Sequence, residues 1–134
     1  MSSDTTRADA LIQRLEDALR EALPTDWRIQ DAEAKVTKSL GIVLFYEQGN
    51  LSNEVSGTQM PPGHVSVDFM LTLTAPENDP VKGTRAVTSA LLELLPALDG
   101  LEDLFWGPTA EKIRLESGET AYRIPTTFLS TYEE

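Results

Sequence analysis

The sequence predicts an α+β domain: a mainly antiparallel sheet with two helices packed on one face, in the order α-β-β-β-α-β-β. Three observations carry this. From Val65 to Thr74 the side chains alternate without a slip. Val65, Val67, Phe69, Leu71 and Leu73 fall on one side and Ser66, Asp68, Met70, Thr72 and Thr74 on the other, a strand with one dry face. Asp79 then stands where a helix N-cap belongs and Pro80 at the first helical position. Val87, Leu91, Leu94, Leu95 and Leu98 follow at three- and four-residue spacing. The other strand-like runs are joined by short turns, as antiparallel neighbours are. Strand and helix each need a dry partner, and burying one against the other supplies it.

The remaining elements follow in order. Ala8, Leu11, Ile12, Leu15, Leu19, Ala22 and Leu23 have helical spacing, and Pro24 ends that helix. Trp27 and Ile29 flank Arg28 in a short strand over about 27–31. Ile42 to Tyr46 is an unbroken β-branched and aromatic run, read as a central strand covered on both faces. After the central strand and helix, Leu101, Leu104, Phe105 and Trp106 form a short turn of helix or an apolar patch before Gly107-Pro108. Lys112 to Glu116 alternates, and Ser117-Gly118 turns the chain into a last strand over about 120–132. That strand places Tyr122, Ile124, Phe128 and Tyr132 on one side. Pro125, which cannot donate to a ladder, puts it at a sheet edge or at a bulge.

At 134 residues the chain is a single domain with room for a core of its own. Its one long irregular piece is a flexible loop at about 48–63, rich in Gly, Asn, Ser and Pro, with Leu51, Val55 and Met60 as apolar handles. Two readings of it stay open: an exposed hairpin loop, or an arm that orders on a neighbouring subunit.

Composition narrows the function. With no cysteine there is neither a disulfide nor a thiolate metal site, which fits a reducing compartment. The start is polar and no apolar run nears the ~20 residues of a membrane helix, so a soluble protein retained where it is made is expected. The net charge of −11 is spread as −2 over residues 1–24, −4 over 25–98 and −5 over 99–134. Such a surface repels phosphate, which argues against sequence-independent nucleic-acid binding, while an acidic wall would let DNA slide past without sticking.

Catalytic constellations are lacking. His64, the single histidine, shares a strand face with Ser66 and Asp68. Neighbours on such a face stand about 6.6–6.8 Å apart at the backbone, too far for a nucleophile and base that must meet within ~3 Å. Glu77-Asn78-Asp79 and Asp99-Gly100-Leu101-Glu102-Asp103 match no calcium-loop spacing, and no Gly-rich phosphate cradle is present. No enzyme activity, cofactor or metal is expected. Protein contact remains, with Trp27, Trp106, Phe45, Tyr46, Tyr122 and Tyr132 as candidates for which core packing is the competing assignment.

The whole-domain layout resembles the tail terminator (tail completion, minor tail) proteins of long-tailed, siphovirus-type bacteriophages. The likeness runs through the helix Ala8–Leu23, the strand His64–Thr74 entering Asn78-Asp79-Pro80, and the helix Val81–Leu98. It continues through the aromatic-Gly-Pro-x-Ala segment Trp106–Ala110, the strand Lys112–Glu116 and the closing Tyr122-Arg123-Ile124-Pro125. The resemblance implies a structural virion protein that forms a homohexameric ring on the head-proximal end of the tail, assembled in the host cytoplasm. Its implied partners are itself, the tail-tube protein and a head-completion or neck protein. DNA passes through without specific binding, and no membrane is involved. A ring needs two different surfaces of one subunit to meet. The loop and the last strand are expected to supply them through Leu51, Val55, Met60, Tyr122, Phe128 and Tyr132, with Asp68 facing the lumen. A neck or head-completion subunit shares this layout. A small cytoplasmic adaptor or inhibitor, binding a host partner through Leu104–Trp106, is the alternative from another class.

Overall fold

A computed structural model describes residues 7–32, 41–55, 57–77 and 79–131. In chain order these form helix α1 (Arg7–Ala22), strands β1 (Arg28–Asp31), β2 (Val43–Ser52), β3 (Glu54–Val55), β4 (Thr58–Gln59) and β5 (His64–Thr74). Helix α2 (Pro80–Asp99) and strands β6 (Leu104–Trp106), β7 (Glu111–Arg114) and β8 (Thr120–Thr131) complete the chain. The main sheet runs β1-β2-β5-β8-β6, with β7 also on β8, and β3-β4 is a separate hairpin. Only β1 and β2 run parallel; every other pair is antiparallel. The predicted fold class is the observed one.

Strand β5 is the axis of the sheet. It pairs with β2 on one side and with β8 on the other from His64↔Thr131 to Thr74↔Ala121. Val67, Phe69, Leu71 and Leu73 are buried on its dry face, joined there by Leu44 and Tyr46 of β2 and Ile124 and Phe128 of β8. Diagonal neighbours on adjacent strands come within reach of aromatic rings. Phe69 accordingly meets Tyr46 at 6.4 Å and 74° and Phe128 at 6.3 Å and 65°, a row of edge-to-face contacts across three strands.

Both helices cover this face. Helix α2 adds Val87, Ala90, Leu91, Leu94 and Leu98 to the core, and α1 adds Leu15 and Leu19. Arg14 of α1 lies 4.6 Å over the Phe128 ring and donates to the Leu129 carbonyl at 2.7 Å, so one side chain pins α1 to β8. The start of α2 is as the sequence predicts. The Asp79 carboxylate accepts from the N–H groups of Val81 at 2.9 Å and Lys82 at 3.0 Å, with Pro80 just inside.

Two expectations change. Strand β8 is interior rather than an edge, because β6 and β7 line its outer side end to end. Its odd-numbered residues turn their backbone groups outward: Leu129 N–H donates to Asp103 and Pro125 C=O accepts from Gly107. The nitrogen of Pro125 therefore faces the gap between Arg123, where β7 pairing stops, and Thr126, where β6 pairing starts. The missing donor breaks no ladder. Strand β2 is interior as expected, but the helices cover one of its faces only, and Phe45 on the other is half-buried.

Asp79→Ala should cost about 1 kcal/mol in urea denaturation, and Asp79→Asn, which keeps a cap oxygen, much less. Phe69→Ala removes the middle of the aromatic row and should cost about 3–5 kcal/mol.

Candidate interaction surface

The sheet face that the helices leave open carries the surface features. In β2 one extra residue sits between Gln48 and Leu51, opposite Phe69 and Val67, where the register shifts. Such a bulge bends a strand and strengthens its twist. Beyond it the chain turns back as the β3-β4 hairpin, closed at its base by Met60 N–H donating to Asn53 O at 2.7 Å. Ser66, 1% exposed, fixes the hairpin from below: its Oγ lies 3.1 Å from Ser52 O and 3.0 Å from Glu54 O. A hydroxyl has one proton, so it serves these two carbonyls in turn.

Across the same face, β6 alternates within three residues. Leu104 is buried and Trp106 is tied by its indole N–H to Asp99 Oδ1 at 3.0 Å, while Phe105 between them is 49% exposed. Gly107, at φ +136°, then carries the chain into Pro108 through a conformation closed to other residues. Between hairpin and β6 lies a groove of about 720 Å³. Asp68, Ser66 and Thr127 form its floor, Val55 and Glu54 one wall, and Phe105 to Pro108 the other.

The structure brings two of the sequence-predicted site residues together, Val55 and Asp68, both in this groove. Leu51 is 57% exposed opposite Val67, and Met60 is half-buried at the hairpin base. Tyr122 lies on the helix side with its hydroxyl 3.1 Å from Thr88 Oγ1. Phe128, 4% exposed, belongs to the core and has little surface to offer a neighbour. Tyr132 lies outside the described residues. Phe105 was visible only as part of an apolar patch; its outward aim depends on β6 being a strand.

Of the aromatic contact candidates, Trp27 and Tyr46 are buried and Phe45 and Trp106 half-buried. His64, Ser66 and Asp68 form no relay, since Ser66 is taken up by hairpin carbonyls and His64 Nδ1 lies 3.3 Å from Pro62 O. Among the described residues no group of three or more His, Asp or Glu side chains could hold a metal ion. No helix of the described residues is long and apolar enough to cross a membrane.

Among the described residues, the one strongly perturbed ionisable group lies elsewhere. Burial pushes the Tyr46 phenol well above its usual range, helped by its hydrogen bond to the Glu16 carboxylate and by the charges of Glu16 and Asp31. Glu16 is also paired with Arg20 at 3.4 Å.

No protein-family model matches the sequence, and no curated protein does either. Among solved structures the chain is similar to the sheath/tube terminator of an extracellular contractile injection system, PVC, in its extended state. The identity is 12% and the TM-score 0.46, over 98% of this chain and 58% of that one. The chain thus spans under two thirds of that structure's length.

Because the folded protein holds the Tyr46 proton more tightly than the unfolded chain, its contribution is complete below pH ~10, the free phenol value, and falls as pH rises above it. Tyr46→Phe should cost about 1–2 kcal/mol at pH 7. Denaturation midpoints of the two proteins should converge above pH ~10; a constant gap would refute the assignment.

Proposed function

We propose that this chain is a structural, non-catalytic subunit of a phage-type tail: a terminator that forms a hexameric ring on the end of the tail tube, stops its growth and presents a surface for head joining. The carrying observation is the one-sided cover of the sheet. Both helices occupy one face, and the other is left with a walled groove and an exposed Phe105, as suits a subunit whose second layer is a neighbour. The segments that carry the sequence resemblance form α1, β5, α2, β6, β7 and β8 in that order, which supports this reading. The charge of −11 suits a ring through which DNA passes without sticking.

The exposed Phe105 beside Trp106 and Pro108 favours a second reading, a monomeric adaptor that docks one partner there. Tube length separates the two. Added in small amounts to polymerising tail-tube protein, the chain should shorten the tubes and be found at their ends by electron microscopy. Tubes of unchanged length with no chain bound would contradict the terminator role.

A further inference from the structure

The groove holds two carboxylates, Glu54 and Asp68, and neither makes an ion pair or side-chain hydrogen bond among the described residues. Phe105 stands beside them. Carboxylates next to aromatic faces form a seat for cationic side chains, above all a guanidinium, which both pairs and stacks. The occupant should therefore be basic, and in a chain with 22 acidic and 11 basic residues few surfaces qualify.

One qualifies at the opposite end of β8. Lys112 and Arg114 of β7, on the helix-side face with their partners Tyr122 and Thr120, are exposed and make no ion pair among the described residues. Arg123 of β8 lies on the other face, opposite Glu111. Among the described residues strand β7 is also a free edge. Leu115 N–H donates to Glu119 O, which sets the ladder phase so that Lys112 and Arg114 turn their backbone N–H and C=O groups outward, away from β8. The corner thus offers cations and unpaired backbone together. Arg123 and Thr127, the latter on the groove floor, lie on one strand about 13 Å apart, so groove and corner are separate patches of one subunit.

We propose that the groove seats the β7 corner of a second copy of this chain, Glu54 and Asp68 receiving Lys112 and Arg114, with Phe105 stacked on the Arg114 guanidinium. The contact is heterologous, so repeating it builds a ring or a helix rather than a closed pair. It deepens the ring reading above, on which it rests, and it turns Asp68 from a lumen residue into a contact residue. Mutual repulsion between copies of net charge −11 is screened beyond ~8 Å at physiological salt, which leaves the local complementarity to decide.

The absence of cysteine allows a direct test. One copy carries Val55→Cys in the hairpin wall, a second carries Glu111→Cys beside the cations, and a third carries Leu92→Cys on the outer side of α2 as a control. Mixed in pairs and treated with a short bismaleimide, the groove and corner copies should cross-link well above either pairing with the control. Glu54→Lys with Asp68→Lys in the groove copy should abolish the product, and adding Lys112→Glu with Arg114→Glu in the corner copy should restore it, which a merely misfolded variant cannot do. Cross-linking no greater than with the control, or indifferent to charge reversal, overturns the proposal. Capped tubes without the cross-link would overturn this contact and leave the terminator role standing; the cross-link with uncapped tubes would do the reverse.

Discussion

Strand β5 must be paired on both sides and covered on one face, and the rest of the structure follows from that requirement. Its hydrogen bonds are taken up by β2 and β8, and its apolar residues by two helices. Phe69 joins these demands, because its ring touches aromatic residues of both neighbouring strands beneath the helices. Arg14 extends the row by one step, from Phe128 into α1. A single strand thereby fixes where both helices lie and which sheet face stays bare.

The bare face is where the chain spends its irregular structure. The β2 bulge and the β3-β4 hairpin raise one wall over it, Ser66 holds that wall down from within β5, and β6 with Gly107-Pro108 raises the other. Charge follows the same division. The carboxylates in the groove and the cations at the β7 corner find no partner among the described residues, whereas the buried phenol of Tyr46 and the guanidinium of Arg14 do. These carboxylates and cations sit on separate parts of the sheet, the groove and the β7 corner.

What could be read from the sequence was local. The alternation of β5, the cap Asp79-Pro80 and the stripe of α2 are each set within a few residues, and each stands as expected. Pro125 misled because its tolerance depends on a gap between β6 and β7, which no local pattern announces. Strands β3, β4 and β6 are two or three residues long, too short for a period to emerge. Phe128 was assigned to the correct side of its strand, yet that side is the core, a fact decided by α1. The groove was illegible for the same reason: its lining is drawn from the hairpin (Glu54, Val55), β5 (Ser66, Asp68), residues 105–108 and Thr127, four separate stretches. Of the lining, Val55 and Asp68 are the residues that the sequence assigns to assembly, while Phe105 and Trp106 enter it only as part of the apolar patch Leu104–Trp106.

Light scattering on a size-exclusion column over a wide concentration range, with negative-stain images of any large species, tests most directly that the bare face exists for assembly. A species that grows with concentration into hexameric rings is the expected result. A monomer at every concentration, unchanged when tail-tube ends are supplied, would contradict it.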